Sequence, residues 1–232
     1  MTNDLMTISL TNTGKRFNRE WIFRHCSYEF QQGKKYAITG PNGSGKSTLL
    51  QVIAGATLHN EGTIEYWRDT GSMILDSEPQ KTSKQHPVSS IKNQVADNNH
   101  YQQLSIAAPY LELIEEMTAK EVLEFHSKFK PLSSLLDIAA ILKIVGLEKA
   151  TNKQIRYFSS GMKQRLKLAQ AFFSDTPVLL LDEPTTNLDA DGIALYLSLI
   201  SNYTKDRLVI VSSNVKQEYD FCEELIEIGK YK

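Results

Sequence analysis

Cysteine is scarce in this 232-residue chain, with only Cys26 and Cys222. The two lie far apart and form no metal-ligand spacing. They point to reduced thiols in a cytosolic setting and exclude a disulfide framework. Neither sign of charge is in excess: Lys and Arg total 26 and Asp and Glu 27, for a net charge of −1. Bulk charge therefore gathers neither nucleic acid nor an anionic membrane surface. The opening stretch MTNDLMTISL has no basic region followed by an apolar run, so no signal peptide is expected there. No run of about 18 apolar residues occurs, so no membrane-spanning helix is expected. Internal repeats, heptads and basic stripes are also missing. What is present, 41% hydrophobic and 23% charged residues, is ordinary for a globular protein, at a length that suits one large domain or two small ones.

The most informative stretch is Gly40-Pro41-Asn42-Gly43-Ser44-Gly45-Lys46-Ser47-Thr48. It fits the pattern G-x-x-x-x-G-K-[ST], in which backbone amides cradle phosphates. Lys35 to Thr39 ahead of it form a short buried strand, and LLQVIAGA behind it a helix. Gly43 and Gly45 lack Cβ, so the backbone can turn tightly and come close to a phosphate. Their amides and the helix N-terminus supply partial positive charge. Lys46 can place a full charge on the β- and γ-phosphates, and the Ser47 hydroxyl can ligate Mg²⁺. The competing reading is a glycine-rich turn at an ordinary strand–helix junction.

Around this stretch the pattern predicts an edge strand over residues 5–12 and a second strand over 22–30 with a slip in its alternation. A turn at Gln31-Gln32-Gly33 and a strand over 62–67 follow. Together they make a small antiparallel sheet. Phe17 falls in the loop between the first two strands, where an aromatic ring could stack on adenine, or could with Trp21 simply cover the sheet. Residues 69–103 are polar and read as a long insertion, with His86 and His100 solvated. A buried strand resumes at 104–108. Helices are predicted over 111–130, with a capping box from Thr118 to Glu121, and over 133–145, closed by Gly146. Residues 158–174 are helical. Val178-Leu179-Leu180-Leu181 has the continuous apolar run of a strand buried on both faces of a parallel sheet. A helix over 192–200, a strand over 208–211 and a closing segment over 221–228 complete the chain.

A second chemical site follows the VLLL run. Carboxylates at the C-terminal end of a buried strand sit where open α/β sheets bind ligands. Asp182 is placed to hold the Mg²⁺ shell opposite Ser47. Glu183 is placed to accept a proton from water aimed at the γ-phosphate. Two solvated acids before Pro184 would be the plain alternative, and the phosphate-cradle pattern elsewhere in the chain argues against it.

These residues resemble the nucleotide-binding subunits of ATP-binding cassette (ABC) transporters over nearly the whole chain. GPNGSGKST is similar to their Walker A motif, and VLLLDEP to Walker B with its catalytic glutamate. FSSGM at 158–162 is similar to the signature motif, and TNLD, ending at Asp189, to the D-loop. The resemblance implies an α/β fold: a P-loop NTPase core with a mainly parallel sheet, a small antiparallel β subdomain and an α-helical subdomain. It implies a single domain over 1–232, with 1–109 and 159–232 forming the core and 110–158 the helical part. It further implies MgATP bound at a head-to-tail interface with a second copy or a homologous ABC subunit, Ser159 and Gly161 reaching the γ-phosphate in trans and Asp189 positioning the partner's Walker A. A separate transmembrane permease would hold the protein at the inner face of the cell membrane. No nucleic acid is expected, because this single cassette lacks the features of soluble, non-transport ABC proteins.

The sequence departs from the family pattern at three places. Ser160 and Met162 replace a glycine and a glutamine in the signature. Tyr110 stands where the Q-loop glutamine is expected, with Glu112 nearby as a substitute metal contact. Ser213 stands where the switch histidine is expected; its hydroxyl can hydrogen-bond a phosphate but carries no charge. A working but slow ATPase is therefore expected, the alternatives being a regulatory subunit that binds ATP with little hydrolysis, or a soluble ABC ATPase.

Overall fold

The computed structural model describes residues 5–69, 92–94 and 100–232. Among them, an antiparallel sheet is built from β1 (Leu5–Phe17), β2 (Glu20–Gln31), β4 (Glu61–Asp69) and β5 (Lys92–Gln94), in the order β2-β1-β4-β5. A parallel sheet is built from β3 (Lys35–Thr39), β6 (Leu104–Ala107), β7 (Val178–Asp182), β8 (Leu208–Ser212) and β9 (Glu224–Glu227), in the order β6-β7-β8-β3-β9. The helices are α1 (Lys46–Ile53), α2 (Ala119–Ser127), α3 (Ile138–Ile144), α4 (Ser160–Phe173) and α5 (Ala190–Tyr203).

The continuous apolar runs of β7 and β8 follow from their position. Successive side chains of a strand point to opposite faces. Val178 and Leu180 join one core with Leu49, Val52 and Ile53 of α1 and Ile8, Leu10 and Phe23 of the antiparallel sheet. Leu179 and Leu181 join the other with Leu166 and Phe172 of α4 and Tyr196 and Leu199 of α5. Neither face meets water, so alternation is lost. Burying each such side chain contributes about 1.5–3 kcal/mol.

Several expectations need correction. β1 is not an edge strand: it lies between β2 and β4 and runs on to Phe17. Phe17 therefore sits at a strand end, paired with Glu20 across a two-residue turn. The slip in β2 is a bulge: His25 adopts φ 56°, and its ring nitrogen Nδ1 meets Asn12 Oδ1 at 2.7 Å. The capping box at Thr118 is present, but α2 begins only at Ala119, so 111–118 are not helical. The helix expected over 133–145 is shorter, because Asp137 caps it by accepting the Ala140 amide. His100 is not simply solvated: its ring stacks on Tyr66, with centroids 4.6 Å apart. His86 and most of the polar insertion lie outside the described residues.

Candidate functional site

The C-terminal ends of β3, β7 and β8 meet along one edge of the parallel sheet, and there the two chemical motifs come together. Strand β3 runs into the loop 40–45, whose glycines take conformations that a side chain would forbid. Gly40 has φ 148°, Gly43 φ 73° and Gly45 φ 102°. Gly45 is the N-cap of α1 and offers no side-chain cap. The first amides of the helix thus stay available to an anion. Pro41, Asn42 and Gly43 form the exposed crest of the loop, while Ser44 is buried with its hydroxyl unpartnered. Lys46 is buried too, and its ammonium is held over the loop by the carbonyls of Gly40 (3.0 Å) and Pro41 (3.2 Å). Ser47 and Thr48 follow in the first turn of α1.

Gly45 carries a direct test. A Cβ there would lie 2.4 Å from Ile22 Cγ2, on a backbone already left-handed. Gly45→Ala is expected to lower stability by about 2 kcal/mol or more in denaturant unfolding. Adding Ile22→Ala should remove the clash but not the conformational strain, so part of the loss should remain.

Asp182 ends β7 and is 1% exposed. Burial pushes its carboxyl above the usual range, while the hydroxyls of Ser212 and Ser47 and the charge of Lys46 pull it back down. Asp182 Oδ1 has no hydrogen-bond partner, and Ser212 stands beside it in the sheet register. Glu183 follows with φ 41°, a left-handed conformation costly for a non-glycine residue. Its amide donates to the Ser212 carbonyl at 2.9 Å.

The two positions where family residues are replaced look different in three dimensions. Ser213 is fully buried, and its hydroxyl accepts the Val215 amide at 2.9 Å. Asn214, one residue on and exposed, donates its side-chain amide to Asn42 Oδ1 at 2.9 Å. Asn214, not Ser213, is the side chain from this turn that reaches the phosphate loop. Tyr110 follows β6. Burial raises its phenol pKa, the neighbouring Gln51 side chain of α1 opposes the rise, and the charge of Asp182 adds to it. Glu112 instead acts on Lys167, whose ammonium donates to the carbonyls of Ala108 and Pro109.

The signature residues lie elsewhere on the surface. Ser159 caps α4 by accepting the Met162 amide at 3.2 Å. A Cβ on Gly161 would stand 3.1 Å from the Asn187 carbonyl. With Arg165, Asn187 and Asp189 these residues line a cavity of about 470 Å³. Asp189 is committed within its own chain: it accepts the Gly192 amide at 2.8 Å as the cap of α5 and pairs with Arg165 at 3.3 Å. Phe17 is half-exposed, with the Lys15 ammonium 4.9 Å from its ring centre. Trp21 is covered by Arg24, 4.5 Å from its ring.

Gln51, Ser212 and Asn214 escaped the sequence reading. Only Ser212 had a signal there, its position at the end of a strand that pairs with the Asp182 strand.

Comparison with known proteins gives a consistent result. The family model described as ABC transporter matches residues 23–186. The chain is 29% identical over 224 residues to the uncharacterized ABC transporter ATP-binding protein YybJ of Bacillus subtilis (strain 168), covering 96% of this chain and 92% of that one. It is also 29% identical over 219 residues to the putative hemin import ATP-binding protein HrtA of Staphylococcus aureus (strain Newman), covering 94% and 92%. Among solved structures, a putative ABC transporter ATP-binding protein from Pyrococcus furiosus superposes with a TM-score of 0.71 at 16% identity, over 97% of this chain and 99% of that one. A bacterial Atm1-family ABC exporter with ATP bound gives 0.74 at 18% identity, over 99% of this chain and 38% of that one. These two structures support the fold. Among the described residues, no helix is long and apolar enough to cross a membrane.

Proposed function

We propose that this chain, which belongs to the ABC transporter family, binds MgATP at the edge formed by β3, β7 and β8 and hydrolyses it with Glu183 as general base. It is the ATP-binding subunit of a transporter. The observation that carries the finer reading is the convergence of Lys46, Ser47 and Asp182, close enough for the first two to act on the carboxyl of the third.

The residues fit a magnesium ion. Asp182 Oδ1 is a buried, unpartnered acceptor near a serine hydroxyl, and Mg²⁺ takes oxygen ligands, holding few from protein and the rest from phosphate and water. Among the described residues, no cluster of three or more His, Cys, Asp or Glu could bind a metal alone, which suits a site completed by nucleotide. Asp182 and Ser47 would hold the ion, which when bound would supply positive charge against the phosphates. The protein's own part is distinct. The loop amides and Lys46 hold and orient the phosphates, and Glu183 takes the proton from the attacking water.

The reading extends to partners. A second copy, or a homologous ABC subunit, would close the site by placing its Ser159 and Gly161 at the γ-phosphate, with the N-terminal end of α4 behind them. A separate permease would receive the motion at the helical part over 110–158 and keep the protein at the membrane. Phosphate release by the purified chain, alone and with its membrane partner, tests the enzymatic claim. Release no greater than that of Glu183→Gln would overturn it.

A second reading, a regulatory subunit with little hydrolysis, is favoured by one observation. The turn that reaches the phosphate loop offers the neutral amide of Asn214, which donates a hydrogen bond but carries neither charge nor a transferable proton. Turnover is accordingly expected to be slow. Asn214→His should raise the rate of phosphate release by about 10-fold, read as kcat at saturating MgATP; an unchanged kcat would separate slowness from this position.

A further inference from the structure

Glu218 is a buried carboxylate given no role above, although its charge helps to raise the carboxyl of Asp182. It is 2% exposed and ends the short turn Lys216–Glu218. Its backbone is anchored twice: its amide donates to the Val215 carbonyl at 3.0 Å, and its carbonyl accepts the hydroxyl of fully buried Tyr196 at 2.7 Å. Its side chain crosses to the loop after β7. There Oε1 accepts both the Thr185 amide, at 2.9 Å, and the Thr185 hydroxyl. Oε2 is buried with no partner. Leaving a carboxylate oxygen buried and unpaired is costly, so the arrangement is not one that stability alone would select.

The loop it grips needs holding. Glu183, two residues before Thr185, keeps a left-handed backbone that persists only where surrounding contacts over-determine it. Two contacts on the loop are independent of Glu218: the Pro184 carbonyl accepts Gln164 Nε2 at 2.8 Å, and the Thr185 carbonyl accepts the Leu188 amide at 2.9 Å. The Glu183 amide is tied to Ser212, and its carbonyl accepts the Thr186 amide at 3.1 Å. Thr185 is tied to Glu218. Asn214, two residues before the same turn, is bonded to Asn42 of loop 40–45. One short segment, 212–218, therefore touches the phosphate loop at one end and clamps the Glu183 loop at the other.

We infer that Glu218 is a positioning residue, holding Glu183 at its working angle through Thr185 and tying that angle to the phosphate loop through the segment that carries Asn214. The inference rests on the reading of Glu183 as general base. Its geometric half can be tested without turnover.

The experiment uses the full chain and three variants. In Glu218→Ala, backbone amide exchange at Thr185 and Thr186 is expected to quicken by about 10-fold, the loss of one well-formed hydrogen bond, with exchange in β3 and β7 unchanged. The kcat for MgATP is expected to fall by about 10–100-fold with KM within about twofold, because a small misplacement of a base costs rate and not binding. Glu218→Gln keeps an oxygen for both Thr185 donors and should restore exchange and kcat together. Thr185→Val, which removes only the hydroxyl donor, gives the same pattern in smaller measure if Glu218→Ala does not fold. Unchanged exchange at Thr185 and Thr186 would overturn the inference. So would quickening throughout the chain with kcat and KM shifting together, the mark of a merely structural residue. If the wild-type chain releases no more phosphate than Glu183→Gln, the proposed function falls, and amide exchange still decides the clamp.

Discussion

Lys46→Ala is expected to weaken MgATP binding by about 10–100-fold and to remove hydrolysis at attainable nucleotide concentrations. The lysine is buried and fixed over the loop by two backbone carbonyls, so its charge is preorganised and partly desolvated before nucleotide arrives. A hydrogen bond to a charged group is worth about 1.5–3 kcal/mol, and the alanine variant forfeits it. The variant should keep its fold, because the glycine conformations and the α1 core contacts of Leu49, Leu50 and Ile53 do not depend on the ammonium. Titration calorimetry with MgATP reads the binding loss, and a thermal melt separates it from unfolding. Equal heats of binding for the variant and the wild type would remove the phosphate site from loop 40–48.

Glu183→Gln gives the second large effect, with the opposite signature. The amide keeps the size and shape of the carboxylate but cannot take a proton from water. A positioned base contributes about 10²–10⁴ in rate, so kcat should fall by that factor while MgATP affinity holds. The ratio of the two parameters decides the role. A fall in kcat at constant affinity marks an interaction made only in the transition state. A fall in affinity would place Glu183 in binding instead. The left-handed backbone at Glu183 belongs to the main chain, and glutamine inherits it, so stability should be unaffected. Measuring phosphate release and nucleotide affinity on the same preparation of the variant makes the comparison.

The two effects read the two halves of one site. On the proposed reading Lys46 would act on the ground state, through a charge that the loop carbonyls already hold. Glu183 would act on the reaction, with its own amide tied to Ser212 and Thr185 tied to Glu218. The 212–218 segment touches both halves.

Much of this was legible in one dimension. The loop 40–48, the buried runs at 178–181 and 208–211 and the cap at Thr118 are local patterns, because glycine conformations, strand burial and helix capping are settled by residues a few positions apart. The slip in β2 was legible as a broken alternation, and its cause, the bulge at His25, was not. The helices expected over 111–130 and 133–145 were overdrawn at their starts, because apolar spacing continues past the caps that end the hydrogen-bond ladder. The place of β1 between two strands could not be read either, because strand order is decided by partners far away in the chain.

The sequence by itself determined a glycine-rich loop of phosphate-cradle pattern, a parallel sheet to present it, and two acids at the sheet's edge. Tertiary structure alone decided which side chains meet around that edge: Asn214 against Asn42, and Glu218 beneath Thr185. It also decided that Asp189, elsewhere on the surface, caps its own helix. The reason is geometric. A sequence pattern sets backbone conformation, but which way a side chain points after a strand ends, and what stands 33 or 172 residues away to meet it, is settled only when the layers close.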